Sequence, residues 1–489
     1  MVNNIYRIKT AKMTNFRCYE EMIQPITFGK ECTVVIGYNG AGKTALLTGI
    51  KKALSFILTR DRRSTVNFIG DGKDVRESLL KNHDVRYNYR TGLLDDDYHF
   101  PCQVNMSAKI LGTDIDWNYI KPNKRTPLDK MAFRQQLDEV LTIYNNNAQG
   151  TILPLLAFFS DCYPHVRATL TKYEKDVLID KSNNIERRAG YYHWDASSTD
   201  FYFWRDLYCL ALRKINHPTS GLMVIRDRLS AEHLDEKTIE NLRVREEMLL
   251  LSQKQVDYIK KILIQFSRTY PTQDNRDFAI EDISEGSYLE DGKEVFTLMF
   301  HFQDGHDQLF DMLPEGHKRL IAIAFEMAYR FFILNKQLIY KDEDIKPQGI
   351  AIIDELELHL HPSLAQEALF RLRDTFPEVQ FIVSTHSPAV ISNIKVDGDA
   401  CKVLKLTGDH NFSEMDDSFG LSYSDTLVLK MGSYGRMHML SLLEEMYSEY
   451  KEDNDMEGMN EVREELQKFF GDAPQRNQWV NELIAQWNA

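Results

Sequence analysis

Residues 36–44 read I-G-Y-N-G-A-G-K-T, directly after the apolar run T-V-V at 33–35. Gly37, Gly42, Lys43 and Thr44 fit the pattern G-x-x-x-x-G-K-[ST]. A bend this tight lets consecutive backbone N–H groups, here from Asn39 to Ala45, converge on a phosphate, and the following helix adds its positive N-terminal end. In such a loop Asn39, Gly40, Ala41, Gly42 and Ala45 contribute through the main chain. Lys43 reaches the β- and γ-phosphates, and the Thr44 hydroxyl ligates Mg²⁺. The flanks agree: a β-branched strand precedes the loop, and A-L-L-T-G-I-K-K-A-L (45–54) follows at helical spacing. The stretch predicts a nucleotide site with ATP and Mg²⁺ as its ligands.

A phosphate loop alone does not choose a chemistry; its partners do. G-I-A-I-I-D-E (349–355) is an apolar strand ending in two acids. Asp354 is expected to hold Mg²⁺ opposite Thr44, and Glu355 to polarise the water attacking the γ-phosphate. F-I-V-S-T-H-S-P (381–388) is a second buried strand ending at His386, which can sense the γ-phosphate. Strands alternate with helices around these motifs, which predicts an α/β sheet with nucleotide at the strands' carboxyl ends. Around this core, residues 5–36 alternate as strands, 103–120 reads as a hairpin turning near Gly112, and 277–283 and 293–303 are strand-like. The region from about 130 to 267 reads as mostly helical, and the last 60 residues are helical and rich in Glu and Met.

The phosphate loop, L-P-E-G-H-K-R (313–319), I-I-D-E-L-E-L-H-L-H-P (352–362) and S-T-H-S-P (384–388) together resemble the ABC-type ATPase heads of the RecF, SMC and OLD group, within the AAA-type ATPases. The resemblance implies an ABC-type P-loop head: a central mixed or parallel sheet, an antiparallel β lobe, a helical insertion and a C-terminal helical tail. It divides the chain into 1–130 (β lobe and phosphate loop), 131–270 (helical insertion), 271–430 (signature, acid strand and switch histidine) and 431–489 (tail, expected to dock a partner). It implies that two heads sandwich two ATP molecules, each site completed by the other head's signature loop. Gly316 would then supply an N–H to the partner's γ-phosphate, with Lys318 and Arg319 as charge stabilisers, and His361 would sit at the dimer-contact loop. The chain departs from the pattern at Pro314, where a serine is usual, and at His317. Both departures bear more on the rate of hydrolysis than on ATP-driven dimerisation. Asp74 stands in for the usual metal-linking glutamine, which is not evident.

Within that group, about 270 residues separate Lys43 from Gly316 without sustained heptads, so long coiled-coil arms are excluded. The D-G-D at 397–399 lies in a polar turn, and C-K-V-L-K-L (401–406) leads into T-G-D without a glutamate, so a nuclease metal site is not expected. The chain most resembles stand-alone anti-phage defence ATPases of the Septu and retron-associated type. The likeness includes R-A-G-Y-Y (188–192), F-Y-F-W (201–204) and the run from Leu313 to Asn335. It implies an oligomeric ATPase controlling a separate HNH-type nuclease. A RecF-like repair clamp and the ATPase of a PARIS-type defence system remain alternatives.

The 489 residues carry a formal net charge of −14, so DNA or retron nucleic acid could be contacted only through local basic patches, at 60–63 and 121–125. The six cysteines form no C-x-x-C pair, which argues for reduced thiols rather than zinc or disulfides. No run approaches the roughly 18 apolar residues of a membrane span, so a cytoplasmic protein is expected.

Overall fold

In the computed structural model, β4 (Cys32–Gly37) is buried on both faces, as its unbroken T-V-V-I run requires of a central parallel strand. The structure describes residues 6–54, 80–88, 98–125, 150–164, 187–195, 201–230, 235–270, 278–407, 411–432, 438–470 and 485. The central sheet continues from β4 through β12 (Glu378–Ser384) to β11 (Gln348–Ile353) and β7 (Leu155–Phe159) on one side. On the other side it passes through β13 (Cys401–Leu406) to β14 (Phe412–Glu414). All neighbours are parallel except β14, which runs antiparallel to β13. Parallel strands deliver their carboxyl ends to one edge, which is where the glycine-rich loop, the Asp354–Glu355 pair and His386 all emerge.

β7 differs from expectation. The segment 131–270 reads as a helical insertion, yet L-L-A-F-F (155–159) is a fully buried strand that pairs in register with β11. A five-residue apolar run carries no period that separates strand from helix, and the partner strand, almost 200 positions away, decides it. The close pairing needs Gly349: its φ is +147°, and a Cβ there would collide with the backbone of Leu155.

A smaller antiparallel sheet packs around α1 (Lys43–Leu54). It is built from β1 (Arg7–Phe16), β2 (Tyr19–Glu21), β3 (Ile26–Thr27), β5 (Cys102–Ile110) and β6 (Thr113–Lys121). The β5–β6 hairpin turns at Leu111–Gly112, both at positive φ, as a two-residue primed turn demands. A second hairpin, β8 (Ile280–Glu290) with β9 (Lys293–Phe302), turns at Asp291–Gly292 in the same way, and β10 (Asp307–Leu309) adds to it.

α5 (Glu315–Ile339) is buried along nearly its whole length, as a helix apolar on every face must be. Arg319, Glu326, Arg330 and Asn335 point inward and stitch neighbouring segments to it. Asn335 exchanges two hydrogen bonds with Leu153, accepting from its N–H (2.8 Å) and donating to its carbonyl (3.0 Å). Arg330 pairs with Glu326 and donates to the carbonyls of Gly190 and Tyr192. This accounts for R-A-G-Y-Y: a Cβ at Gly190 would collide with Leu334 and sit 2.7 Å from the Arg330 carbonyl, so only glycine lets the segment approach the helix. F-Y-F-W opens α2 (Phe201–Asn216) beneath α5, with Phe201 stacked on Phe310 at 4.3 Å and Arg330 over Trp204. A short α3 (Leu222–Leu229) leads to α4 (Glu236–Ser267), whose N-cap Asp235 accepts from the Thr238 N–H. α6 (Pro362–Thr375) links β11 to β12.

The chain divides into two compact units, Met1–Gly420 and Leu421–Ala489. The second contains α7 (His438–Glu452) and α8 (Met456–Phe470), in which Leu443, Tyr447, Met459, Val462 and Leu466 are buried.

Gly349→Ala is expected to lower stability by about 2–4 kcal/mol, combining backbone strain with overpacking against β7. Urea unfolding should show a lower midpoint at unchanged slope; an unshifted midpoint would contradict the packing of β7 on β11.

Candidate functional site

The phosphate loop leaves β4 and enters α1 through three positive-φ glycines: Gly37, Gly40 at +84° and Gly42 at +100°. Gly42 is also sterically required, because a Cβ would lie 2.8 Å from the Tyr19 hydroxyl, which itself donates to the Gly42 carbonyl. Tyr38, Asn39, Gly40 and Thr44 are exposed, whereas Ala41 and Ala45 are buried, so the loop opens on one side only. Lys43 is 6% exposed, and its ammonium donates to the carbonyls of Gly37 (2.9 Å) and Tyr38 (3.1 Å). Burial lowers its pKa, against the opposing pull of Asp354, Glu355 and Glu357. That opposition places three acids of the β11 turn within electrostatic reach of the loop lysine.

Those acids are arranged by the turn after β12, because β12 lies between β4 and β11. Asp354 is 2% exposed; its N–H donates to Phe159 O (2.8 Å), and its carboxylate accepts from the Ser384 hydroxyl. The same hydroxyl oxygen accepts from the Glu355 N–H at 2.8 Å. Glu355 stands at φ +49°, a left-handed conformation that a glutamate holds only where its surroundings over-determine it. Burial raises its carboxyl pKa above the usual range; Asp354 and Glu357 add to the rise, and His386 opposes it. A carboxylate so tuned accepts a proton more readily near neutral pH.

Glu357 escapes the sequence reading. Its carboxylate accepts from the Thr385 hydroxyl (2.7 Å) and from the His386 N–H, fixing the turn that carries His386. The signal is present as the third acid of D-E-L-E, but only the neighbouring β12 turn gives that acid a partner.

Gly316 is the second residue of α5, whose N-cap is Pro314. A Cβ on Gly316 would lie 2.7 Å from the His359 carbonyl, so the signature loop and the E-L-H-L-H loop of one chain are packed together. Beside them opens a pocket of about 260 Å³ lined by Pro314, Gly316, His317, His359 and His361 among others, and by no residue of the phosphate loop. Lys318 pairs with Glu315 at 2.8 Å. His361 serves as N-cap of α6, accepting from the Ser363 N–H.

Arg319 corrects an expectation. Rather than facing an incoming phosphate, it is fully buried and donates to main-chain carbonyls, because α5 turns this position into the core. Asp74 and the basic cluster 60–63 lie outside the described residues. Of the cluster 121–125, Lys121 is buried and donates to the Lys124 carbonyl, which withdraws one charge from that patch.

Thr44 and Asp354 together offer a hydroxyl and a carboxylate, the hard oxygen donors that suit Mg²⁺, an ion that usually takes one or two carboxylates and completes its shell with water and phosphate. Among the described residues no group of three or more His, Cys, Asp or Glu is placed to hold a metal by itself, and no helix is long and apolar enough to cross a membrane.

Residues 32–392 match the family model described as "AAA domain, putative AbiEii toxin, Type IV TA system". The chain is 23% identical over 456 residues to the Retron Vc95 probable ATPase of Vibrio cholerae serotype O1 biovar El Tor, covering 88% of this chain and 80% of that protein. A shorter match, 27% over 177 residues, joins it to the Septu protein PtuA of Bacillus mycoides (strain KBAB4), covering 36% of this chain and 21% of that one. Among solved structures, the Smc head domain from Pyrococcus furiosus aligns over 84% of this chain and 96% of its own, at 14% identity and a TM-score of 0.39.

Ser384→Ala removes both the acceptor of the Glu355 N–H and the donor to Asp354 at a fully buried position. A loss of about 1–3 kcal/mol is expected, measured as a reduced melting temperature; an unchanged melt would show that the two acids are held by other contacts.

Proposed function

The chain belongs to this AAA-domain family, and we propose on that premise that it is the ATPase subunit of an anti-phage defence complex, whose nucleotide state governs a separate nuclease. The observation that carries the ATPase reading is the convergence of Lys43, Asp354 and Glu355 at one edge of the parallel sheet. The retron and Septu relatives support the defence setting.

In this reading the main chain from Asn39 to Ala45 cradles the phosphates and Lys43 trades its two loop carbonyls for phosphate oxygens. Thr44 and Asp354 would hold Mg²⁺, which would supply charge to offset that of the triphosphate. The Glu355 carboxylate orients the attacking water and takes its proton as the bond to the γ-phosphorus forms and the bridging P–O bond breaks. His386, whose backbone N–H is held by Glu357, donates to the γ-phosphate and registers its presence in this reading. Gly316 serves the ATP of a second copy. What supports this is the pocket open beside Gly316, whose lining by Pro314, His317, His359 and His361 leaves room for a group brought by a second head. The partner is an HNH-type nuclease, and the C-terminal tail, residues 431–489, is its docking element.

Lys43→Ala is expected to weaken ATP binding by at least about tenfold, the worth of one charge-assisted hydrogen bond, and to abolish phage protection with it. Glu355→Gln should lower kcat by about 10²–10⁴-fold while retaining ATP and holding the heads associated, seen by size-exclusion light scattering. A cryo-EM map of that variant in which every ATP touches a single polypeptide would sink the sandwich. Purification with the product of the adjacent gene tests the nuclease: if none is retained in either nucleotide state, that part of the reading is wrong.

The pH dependence has a definite sign. Glu355 must be ionised to accept a proton and its pKa is raised, so kcat falls on the acid side at a pH above the ordinary glutamate value. Glu357→Gln removes one of the charges that raise it, and the acid limb should move to lower pH in a pH–rate profile.

A further inference from the structure

Arg319 lies one turn into α5, three residues past Gly316, and it is completely buried. One terminal nitrogen of its guanidinium donates to the carbonyls of Ser160 (3.2 Å), Asp161 (3.3 Å) and Tyr163. The other donates to the carbonyls of Asp354 (2.9 Å) and Glu355 (3.2 Å). These last two are the carbonyls on either side of the Glu355 backbone, which is held at a positive φ. A buried cation bonded to five carbonyls through its two terminal nitrogens is costly to assemble and rigid once assembled. The planar fork also fixes direction, so movement of the first turn of α5 either carries the Asp354–Glu355 turn with it or breaks these bonds.

Gly316 and Glu355 therefore share one mechanical unit although they serve different nucleotides: Gly316 the partner's, Glu355 the head's own. Resting on the sandwich reading above, we infer that Arg319 is a positioning residue that transmits engagement of Gly316 by a neighbour's triphosphate to the backbone of Glu355. Each head then aligns its own water-activating carboxylate only after its signature loop has been taken up. A misplacement of about 1 Å at such a group costs on the order of 100-fold in rate, which is enough to make hydrolysis conditional on assembly.

Arg319→Lys keeps the charge but has one nitrogen, which cannot span both loops. The expected result is ATP affinity and ATP-dependent association within about twofold of the parent, with kcat lower by about 100-fold. A parental kcat would overturn the inference, as would an affinity loss that accounts for the whole effect. The decisive measurement needs no turnover. An isotope-labelled Lys43→Ala chain is mixed with an unlabelled Glu355→Gln chain at an ATP concentration that loads the second but not the weakened first, and amide hydrogen exchange is followed in the labelled chain. Exchange should slow at 315–320 and also at 354–356, by about tenfold, roughly what one charge-assisted hydrogen bond adds to a local opening. With Arg319→Lys added to the labelled chain, 315–320 should still slow while 354–356 does not. Slowing at 315–320 alone in the Lys43→Ala chain overturns the coupling and leaves the sandwich intact; no slowing at 315–320 overturns the sandwich and the coupling with it. If Arg319→Lys does not fold, the Lys43→Ala arm decides by itself.

Discussion

β12 hydrogen-bonds to β4 on one side and to β11 on the other, so that Cys32, Phe381, Ala351 and Ala157 form a single rung across four parallel strands. Two residues further along, Val34, Val383, Ile353 and Phe159 form the next. This register sets where each strand ends, and hence where the phosphate loop, the Asp354–Glu355 turn and the Ser384–His386 turn meet. A one-residue slip would turn every side chain to the other face and part the acids from the lysine. The rungs are entirely apolar, so the hydrophobic core that stabilises the sheet also fixes the chemistry at its edge.

At that edge, electrostatics and backbone strain act together. Lys43 is buried and held by carbonyls of its own loop, while three carboxylates within reach favour its charged form. Burial, with Asp354 and Glu357 beside it, raises the proton affinity of Glu355, the one residue of the group at a left-handed φ. Ser384, Glu357 and Arg319 supply the hydrogen bonds that hold the strained turn. α5 thus does two jobs: its apolar faces build the core, and its inward polar side chains bind the segments around residues 153, 160 and 190 to the helix.

The phosphate loop, the acid strand and the switch strand are legible in consecutive residues, since each depends on local backbone requirements and short-range periodicity. The hairpin turning near Gly112 is legible for the same reason. Other features needed distant partners. L-L-A-F-F became a strand because β11 offered an open edge and Gly349 let it approach. R-A-G-Y-Y is recognisable as a motif, but its glycine has a reason only once Arg330 and Leu334 lie against it.

The sequence by itself determined which residues form the glycine-rich loop, which acids follow a buried strand, and the order in which they occur, because those demands are met within a few peptide units. Only the tertiary structure decided that Arg319 faces the core instead of a phosphate, that Glu357 braces the histidine turn, and that residues 155–159 complete the sheet. Each of these depends on pairing a polar group or an open strand edge with a group far along the chain. A buried hydrogen-bonding group must find a partner wherever folding brings one, and no local pattern records where that will be.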